Sequence, residues 1–360
     1  MLRLEPRQQA SSTMRWLTPI LAVAITMVVG GFLFAAMGKD PFEAIKIIFL
    51  DPFFHETFGP YSRSQLLIKA GPLILIATGL SIGFRAGVWN IGAEGQFVMG
   101  AIAGGAVGLA LYPAEGVWVL PLMTIAGALG GMAWAMIPAF LKIKFNTNEI
   151  LVSLMLVYVA YNFLAAMVTG PLKNPDGFGF PESRSFTSVD ATHLPMVYDP
   201  LGMHAGVLVA LAVVIAAYVM MERHLLGFQI RLTGESPRAA KFAGVNPAVI
   251  VAVCLGISGA LAGMAGLFEV TGPAGKLTTN FPVGYGFTAI IVAFLGRLNP
   301  IGIVLAGLLM ALTYIGGELA QLSLGIPAAA ISVFQGMMLF FLLAVDVFVN
   351  YRLVWKKEVK

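Results

Sequence analysis

The stretch GFRAGVWNIGAEGQF, from Gly83 to Phe97, separates two long apolar segments of the chain. It carries an arginine, an asparagine, a glutamate, a glutamine and four glycines between residues that are otherwise almost entirely apolar. Glycine lets the backbone leave helical geometry, and the amide and carbonyl groups freed in this way must face protein or water, because lipid cannot satisfy them. An interrupted membrane helix of this kind commonly marks a transported substrate or its gate.

The composition around this break is that of a membrane protein. Hydrophobic residues make up 58% of the 360 residues and charged residues only 11%. A soluble fold of this size could not tolerate so apolar a surface, and repeated apolar runs of about 20 residues leave no soluble region long enough for a second domain. The sequence therefore predicts an all-α, polytopic membrane protein. Its single cysteine, Cys254, excludes an intrachain disulfide framework.

Ten apolar runs predict about ten transmembrane helices. They cover residues 17–37, 66–84, 95–112, 117–141, 150–168, 205–221, 248–270, 284–296, 300–317 and 330–349. The first run exceeds the roughly 7 to 15 apolar residues of a cleaved signal peptide, so we expect an uncleaved first span.

Charge predicts the orientation, since cytoplasmic loops are enriched in Lys and Arg. With both ends inside, most of the 22 basic residues fall in inward segments. The predicted parts are a cytoplasmic segment 1–16, a membrane domain 17–349 with an outward loop 169–204 and an inward loop 222–247, and a basic cytoplasmic tail 350–360. The net charge of +4 then reflects orientation and contact with anionic membrane lipid. No basic cluster with interleaved aromatic residues indicates nucleic acid binding.

The outward loop contains a long polar stretch, residues 174–200, that is rich in Pro, Asp, Ser and Gly. We expect it to form an ordered or partly ordered cap without a core. A surface for an external partner and a plain connector are both open interpretations.

The inward loop contains the start signal of a short helix. Ser236 is a good N-cap, Pro237 suits the first helical position, and Gly244 suits the C-terminal cap. Between them, small alanines permit close contact and Phe242 supplies an apolar side chain. Such a helix fits a groove on a soluble partner, with a surface-lying amphipathic turn as the alternative.

Three segments together resemble the permease subunits of bacterial ABC importers, in the branch that moves branched-chain amino acids, simple sugars and nucleosides. They are NIGAEGQF at Asn90–Phe97, the segment Asn148–Ile150, and GESPRAAKFAGVNP at Gly234–Pro247. The resemblance covers nearly the whole chain. The NIGAEGQ form and the long outward loop look most like nucleoside and simple-sugar permeases that work with binding lipoproteins of the basic-membrane-protein type.

This resemblance implies a division of labour in a bacterial inner membrane. Two permease subunits, forming a heterodimer or a homodimer, make the path, while cytoplasmic ATPases use ATP and Mg and an external binding lipoprotein delivers the solute. The chain itself would bind no cofactor and would not be an enzyme. Its inward loop would be the coupling segment that docks into the ATPase, with these matching residues: Gly234, Glu235, Pro237, Ala239, Ala240, Ala243 and Gly244.

The family's spans form an inverted repeat with discontinuous helices, and a second break at Gly296–Gly302 is compatible with one. The residues predicted to line the substrate pathway are Trp89, Asn90, Glu94, Gln96 and Asn299. Among these, Asn90 and Gln96 offer donors and acceptors to a sugar hydroxyl or a base edge. Charges in a membrane need partners, so we expect Glu94 and Glu149 to pair with Arg85 or with helix amides.

The predicted solute is a nucleoside, and a monosaccharide or a branched-chain amino acid remains open. An ion-coupled secondary transporter is a further alternative, which would need a titratable relay within the membrane. Enzyme interpretations fail on context: Gly79–Gly83 has the spelling of a nucleophile elbow but no preceding strand. Lys276 lacks the upstream glycine of a phosphate loop, since Val270 stands there.

Overall fold

The computed structural model describes residues 2–7, 11–198, 201–281 and 284–355. Parts of the predicted cytoplasmic segments, at residues 1, 8–10 and 356–360, lie outside the described residues, as do residues 199–200 of the outward loop. The described chain is predominantly helical, so the predicted all-α membrane architecture is confirmed.

The elements follow one another along the chain, with short strands near the two ends and in the outward loop. They are β1 (Leu2–Pro6), α1 (Ser12–Ala36), α2 (Pro41–Phe49), α3 (Asp51–Phe54), α4 (Gly59–Arg85), α5 (Ala93–Ala110), α6 (Val119–Phe145), α7 (Glu149–Thr169), β2 (Met196–Tyr198), β3 (Met203–His204), α8 (Ala205–Arg223), α9 (Leu225–Glu235), α10 (Pro237–Phe242), α11 (Pro247–Thr271), α12 (Tyr285–Leu295), α13 (Pro300–Leu324), α14 (Ala328–Asn350) and β4 (Tyr351–Trp355).

Eight helices in the described part of the chain are long and apolar enough to cross a membrane: α1, α4, α6, α7, α8, α11, α13 and α14. The other two predicted spans correspond to shorter helices. Helix α5 has 18 residues and α12 has 11, which at about 1.5 Å per residue is less than the roughly 30 Å of a bilayer core. The membrane character is confirmed, while the number of ten spans stays a prediction.

The chain divides into two compact units. Unit 1 comprises residues 1–62 and 312–360. In it, helix α1 packs against α14, and the rings of Phe34 and Phe334 stack with their centroids 5.8 Å apart. Strands β1 and β4 pair antiparallel, with Glu5 opposite Arg352. The predicted terminal segments are therefore hydrogen-bonded to each other where they are described.

Unit 2 comprises residues 63–311 and is built around α5, α6 and α11. These helices approach closely at glycines. A Cβ added to Gly100 would fall on the backbone of Gly263, and one added to Gly131 would fall on the carbonyl oxygen of Gly259. Glycines spaced four residues apart, as Gly259 and Gly263 are, lie on one helix face and permit this close packing.

The outward loop differs from its prediction in one respect, because it does contain buried apolar side chains. Phe186 and Leu194 are 1% and 2% exposed. The Phe186 N–H donates to the Gly275 carbonyl (2.8 Å), and the Leu194 N–H donates to that of Thr271 (2.9 Å). Lys276 also pairs with Glu182 at 2.5 Å. The loop is thus fastened to the connection that follows α11.

The inward loop is more helical than predicted. The short helix α10 forms where the capping signals placed it, with Ser236 Oγ accepting from the Ala239 N–H (3.3 Å) and Gly244 in the left-handed region at φ +79°. Helix α9, which precedes it, was not predicted. His224 caps α9 by accepting from the Leu226 N–H at 3.2 Å.

Candidate functional site

The first break, between α4 and α5, is held by its own polar groups. Gly87 adopts φ +72°, a left-handed conformation that favours glycine. The Val88 N–H then reaches back to the Gly83 carbonyl at 3.0 Å. Beyond it, Asn90 Oδ1 accepts from the Gly92 N–H at 3.1 Å, immediately before α5 begins. The backbone therefore leaves helical geometry over 86–92 without losing all of its hydrogen bonds.

Asn90 and Gln96 form a buried network with Ser258 of α11. The Asn90 amide donates to Gln96 Oε1 (2.8 Å) and to Ser258 Oγ (2.9 Å), and the Gln96 amide donates back to Asn90 Oδ1 (3.0 Å). Asn90 and Gln96 are each 1% exposed. Their side chains thus hold the break against α11, and in this structure they are not open to a solute.

Glu94 lies where the amino ends of α5 and α12 meet. Its carboxylate accepts from the backbone N–H groups of Gly284 (3.0 Å) and Gly286 (2.6 Å) and from the Tyr161 hydroxyl (3.3 Å). The residue has no exposed surface. Helix amino ends leave N–H groups unpaired and favour negative charge. The expectation that Glu94 pairs with helix amides is confirmed.

The second break lies between α12 and α13. Arg297 and Leu298 adopt φ +54° and +56°, which is uncommon for residues other than glycine. The exposed Asn299 caps α13 by accepting from the Ile301 N–H at 3.0 Å. The structure thus shows a helix-capping contact for Asn299, and its predicted role in the pathway stays a prediction.

An aromatic stack joins the two breaks. Trp89, in the first break, stacks on Phe294, in the last turn of α12, with ring centroids 5.6 Å apart. Phe84, in the last turn of α4, lies 5.1 Å from both rings. Trp89 remains 40% exposed. Together with Glu94, this stack brings α12 alongside the first break, so the two interruptions lie next to each other.

The charges around the break pair differently from the prediction for Glu149 and Arg85. Glu149 pairs with Lys142 at 2.6 Å, across the turn between α6 and α7. Arg85 lies 3.9 Å from Glu222, which also contacts Arg231 of α9 at 3.3 Å. Of the two partners expected for Glu149, Arg85 was wrong, because each residue has another oppositely charged neighbour. A backbone amide does contribute, since Glu149 Oε1 accepts from the Trp89 N–H at 3.5 Å, although Trp89 lies in the break and not in a helix.

The predicted coupling residues divide into two groups. Six of the seven are exposed: Gly234, Glu235, Pro237, Ala239, Ala243 and Gly244. Ala240 has no exposed surface, since it faces the rest of the chain. Its side chain is therefore not available to a partner in this structure, and its docking role stays a prediction. The neighbouring Phe242, 95% exposed, is the large apolar side chain that α10 leaves uncovered.

The inward loop also contacts the first break directly. A Cβ on Gly234 would overlap the Arg85 carbonyl oxygen, and one on Gly87 would come within 3.7 Å of the Gly234 Cα. Ile230 of α9 shares a buried apolar cluster with Ala86 and Val88. A displacement of α9 and α10 would therefore also move residues 85–88 of the break.

Tyr161 and Ser258 are site residues that the sequence reasoning missed. Each lies inside a long apolar run, where a hydroxyl group can bond within its own helix or across to another. Gly284 and Gly286 were missed for another reason. They contribute through the backbone N–H groups that donate to Glu94, and a backbone donor has no sequence signature.

Residues 62–343 match the family described as the permease component of branched-chain amino acid transport systems. A glucose ABC transporter permease of Haloferax volcanii is 36% identical over 98% of this chain and 93% of its own. A guanosine ABC transporter permease of Bacillus subtilis is 27% identical over 90% and 92%, and a nucleoside ABC transporter permease of Lactococcus lactis is 25% identical over 97% and 96%. No solved structure matches the chain significantly. With its interrupted membrane helices and this match over most of its length, the chain belongs to this family of ABC importer permease subunits.

Proposed function

We propose that this permease subunit provides the path for a small uncharged solute that contains a sugar ring. The relatives are named for glucose, guanosine and nucleosides, and those solutes share a ring with adjacent hydroxyl groups. A monosaccharide is the first candidate, because the glucose permease shares more residues with this chain than the two nucleoside permeases do. A nucleoside, which the NIGAEGQ form at Asn90–Gln96 favours, is the second.

The observation that carries the proposal is the junction of the two helix breaks. An aromatic face such as that of Trp89, 40% exposed, suits the apolar face of a sugar or the plane of a base. Asn90, Glu94 and Gln96 then act by holding the break in shape, and Asn299 by fixing the start of α13. Movement of α12 against the break would open and close the path between two populated conformations.

A cytoplasmic ATPase would supply the bias between these conformations. We propose that Phe242 inserts into a groove on that ATPase, as an exposed apolar residue on a short helix suits. A movement of the ATPase against α10 would be transmitted to the break by Gly234 and Ile230, which contact residues 85–88. A second permease subunit and an external binding lipoprotein would complete the importer, with the chain's ends on the cytoplasmic side.

The coupling role can be tested by replacing Phe242 with aspartate in cells that carry the complete importer. We expect Phe242→Asp to abolish ATP-dependent uptake and co-purification of the ATPase, while the amount of permease in the membrane stays the same. Phe178→Asp is the matched control, since Phe178 is 99% exposed on the outward loop. This control should keep ATPase co-purification unchanged. Normal uptake by Phe242→Asp would contradict the proposal.

The solute class is tested in the same cells by competition. Unlabelled glucose and guanosine compete separately against the labelled form of each, and the stronger competitor identifies the class. Uptake that follows a proton gradient in ATP-depleted cells would instead favour an ion-coupled transporter. Competition by leucine alone would indicate a branched-chain amino acid and contradict a sugar-containing solute.

A further inference from the structure

Glu269 is a buried carboxylate with an unused acceptor. It lies in the last turn of α11 and is 7% exposed, and its Oε2 atom has no hydrogen-bond partner. The half-buried Lys69 of α4 interacts with it electrostatically. A buried carboxylate oxygen without a donor is costly, so its presence calls for an explanation.

His204 presents a second set of unused polar atoms. It is 3% exposed, and neither ring nitrogen has a hydrogen-bond partner. Burial lowers the pKa of its imidazole to about 4, so the ring is neutral at pH 7. A neutral imidazole has one donor and one acceptor to offer. His204 is the N-cap residue of α8, but its ring makes no side-chain hydrogen bond to that helix, so neither nitrogen serves to cap it.

The two residues lie at one end of unit 2, where α4, α8 and α11 converge. A Cβ on Gly206 would come within 3.0 Å of both the His204 ring and the ring of Phe268, the neighbour of Glu269. A Cβ on Gly71 of α4 would similarly lie 3.3 Å from Val207 Cγ2. By the predicted topology, this is the outward end of all three helices.

We propose that Glu269 and His204 form an outward binding position for adjacent hydroxyl groups of the solute, reached when α4, α8 and α11 part. This inference rests on the proposed function and deepens it. It concerns a position away from the Trp89–Phe294 stack, so the solute would meet Glu269 and His204 before it reaches the breaks.

The chemistry of the unused atoms selects the ligand. The free Oε2 atom has two lone pairs and can accept from two neighbouring hydroxyls. Bonds to a charged acceptor are about twice as strong as neutral ones. The neutral imidazole adds a donor and an acceptor, as a hydroxyl requires. An anionic solute would be repelled by Glu269. The adjacent hydroxyls could belong to a hexose or to the ribose of a nucleoside, and the experiment separates the two.

Glucose and the ribose of guanosine both carry a hydroxyl pair on carbons 2 and 3, so the test compares each solute with the analogue that lacks the hydroxyl on carbon 2. Cells with the complete importer are assayed for ATP-dependent uptake of glucose and 2-deoxyglucose, and of guanosine and 2′-deoxyguanosine. We expect Glu269→Gln to lower kcat/KM for the solute with both hydroxyls by about 10- to 100-fold, as for a hydrogen bond to a charged group. Uptake of the deoxy analogue should change less than about threefold, because it cannot make the full set of bonds.

His204→Phe is the second variant, and it removes both ring nitrogens without breaking a hydrogen bond to protein. It should cause the same selective loss. Glu115→Gln is the matched control, since Glu115 is exposed in the connection between α5 and α6, and it should alter neither uptake. The amount of each variant in the membrane is measured in parallel.

Each outcome decides the question. Equal loss for solute and analogue would overturn the inference. It would show that Glu269 and His204 have only a structural role, for example in binding an ordered water molecule. Failure of both Glu269→Gln and His204→Phe to accumulate would overturn it for the same reason. If the unaltered importer takes up neither sugars nor nucleosides, the proposed function fails, and this is visible before any variant is assayed.

Discussion

A single carboxylate, that of Glu94, joins two helix ends that are far apart in the sequence. Its three donors come from Gly284, Gly286 and Tyr161. An unpaired carboxylate would be costly in this fully buried position, whereas the amino end of α12 supplies N–H groups that otherwise lack partners. The sequence predicted that Glu94 needs such amides. It could not predict that they belong to α12, because the pairing depends on how the chain folds back.

Replacing Glu94 with glutamine should destabilise the protein by about 3 kcal/mol, since the amide NH₂ group would face a backbone N–H where the carboxylate accepted one. Tyr161→Phe, the matched change, removes one hydroxyl bond and should cost about 1 kcal/mol. Unfolding of the detergent-purified variants measures both. Equal stability of the two variants would show that the carboxylate does not hold the ends of α5 and α12 together.

At the scale of elements, the packing of α5, α6 and α11 depends on glycine. Without a hydrophobic driving force between helices in lipid, close backbone approach supplies the contact. The spacing of Gly100, Gly104 and Gly108 places three small residues on one face of α5, a pattern that favours close packing. The partner of each glycine was not predictable, because small residues are spread over several spans.

Gly100→Ala should therefore lower the free energy of unfolding by about 3 kcal/mol, because the new methyl group would overlap the backbone of Gly263. Gly336→Ala provides the contrast: it lies in the exposed part of α14 with nothing within 4 Å, and alanine favours a helix by up to about 1 kcal/mol. Thermal unfolding of both variants in one detergent tests the difference. A stable Gly100→Ala protein would contradict the close approach.

Elements with a local signal were predictable, and those formed by tertiary context were not. Helix α10 followed from Ser236 and Pro237. Helix α2 has similar signals: Asp40 is an N-cap that accepts from the Phe42 N–H (2.8 Å), and Pro41 stands at the first position. It was not predicted, because it lies outside the ten apolar runs. Helix α9 has a weaker signal, because His224 is an unusual cap. Strand β1 pairs with a segment at the opposite end of the chain, so no local pattern predicts it.

At the scale of the whole molecule, the paired strands β1 and β4 constrain the topology. Hydrogen-bonded ends must lie on one side of the membrane, so the chain makes an even number of complete crossings. Eight helices satisfy this condition alone, and ten satisfy it if both α5 and α12 contribute crossings. An odd count such as nine would conflict with this pairing.

Cysteine variants test this arrangement, and the native Cys254 is buried. Cysteines introduced singly at Glu5 and Arg352 should react with a membrane-impermeant thiol reagent from the same side, and a cysteine at the exposed Glu115 from the other side. Glu5 and Arg352 are directly opposite in the register, so the double variant should form a disulfide on mild oxidation. Labelling of the two ends from opposite sides would contradict the paired strands.

Because Trp89 stacks on Phe294, its intrinsic fluorescence should report on the junction of the two breaks. The indole of Trp89 lies at the junction of the breaks, partly in contact with Phe294 and partly exposed. The sequence has five tryptophans. Separation of the two rings would hydrate the indole and move its fluorescence emission to longer wavelength. A protein whose other four tryptophans are replaced by phenylalanine would thus signal, without any attached dye, each time the junction opens.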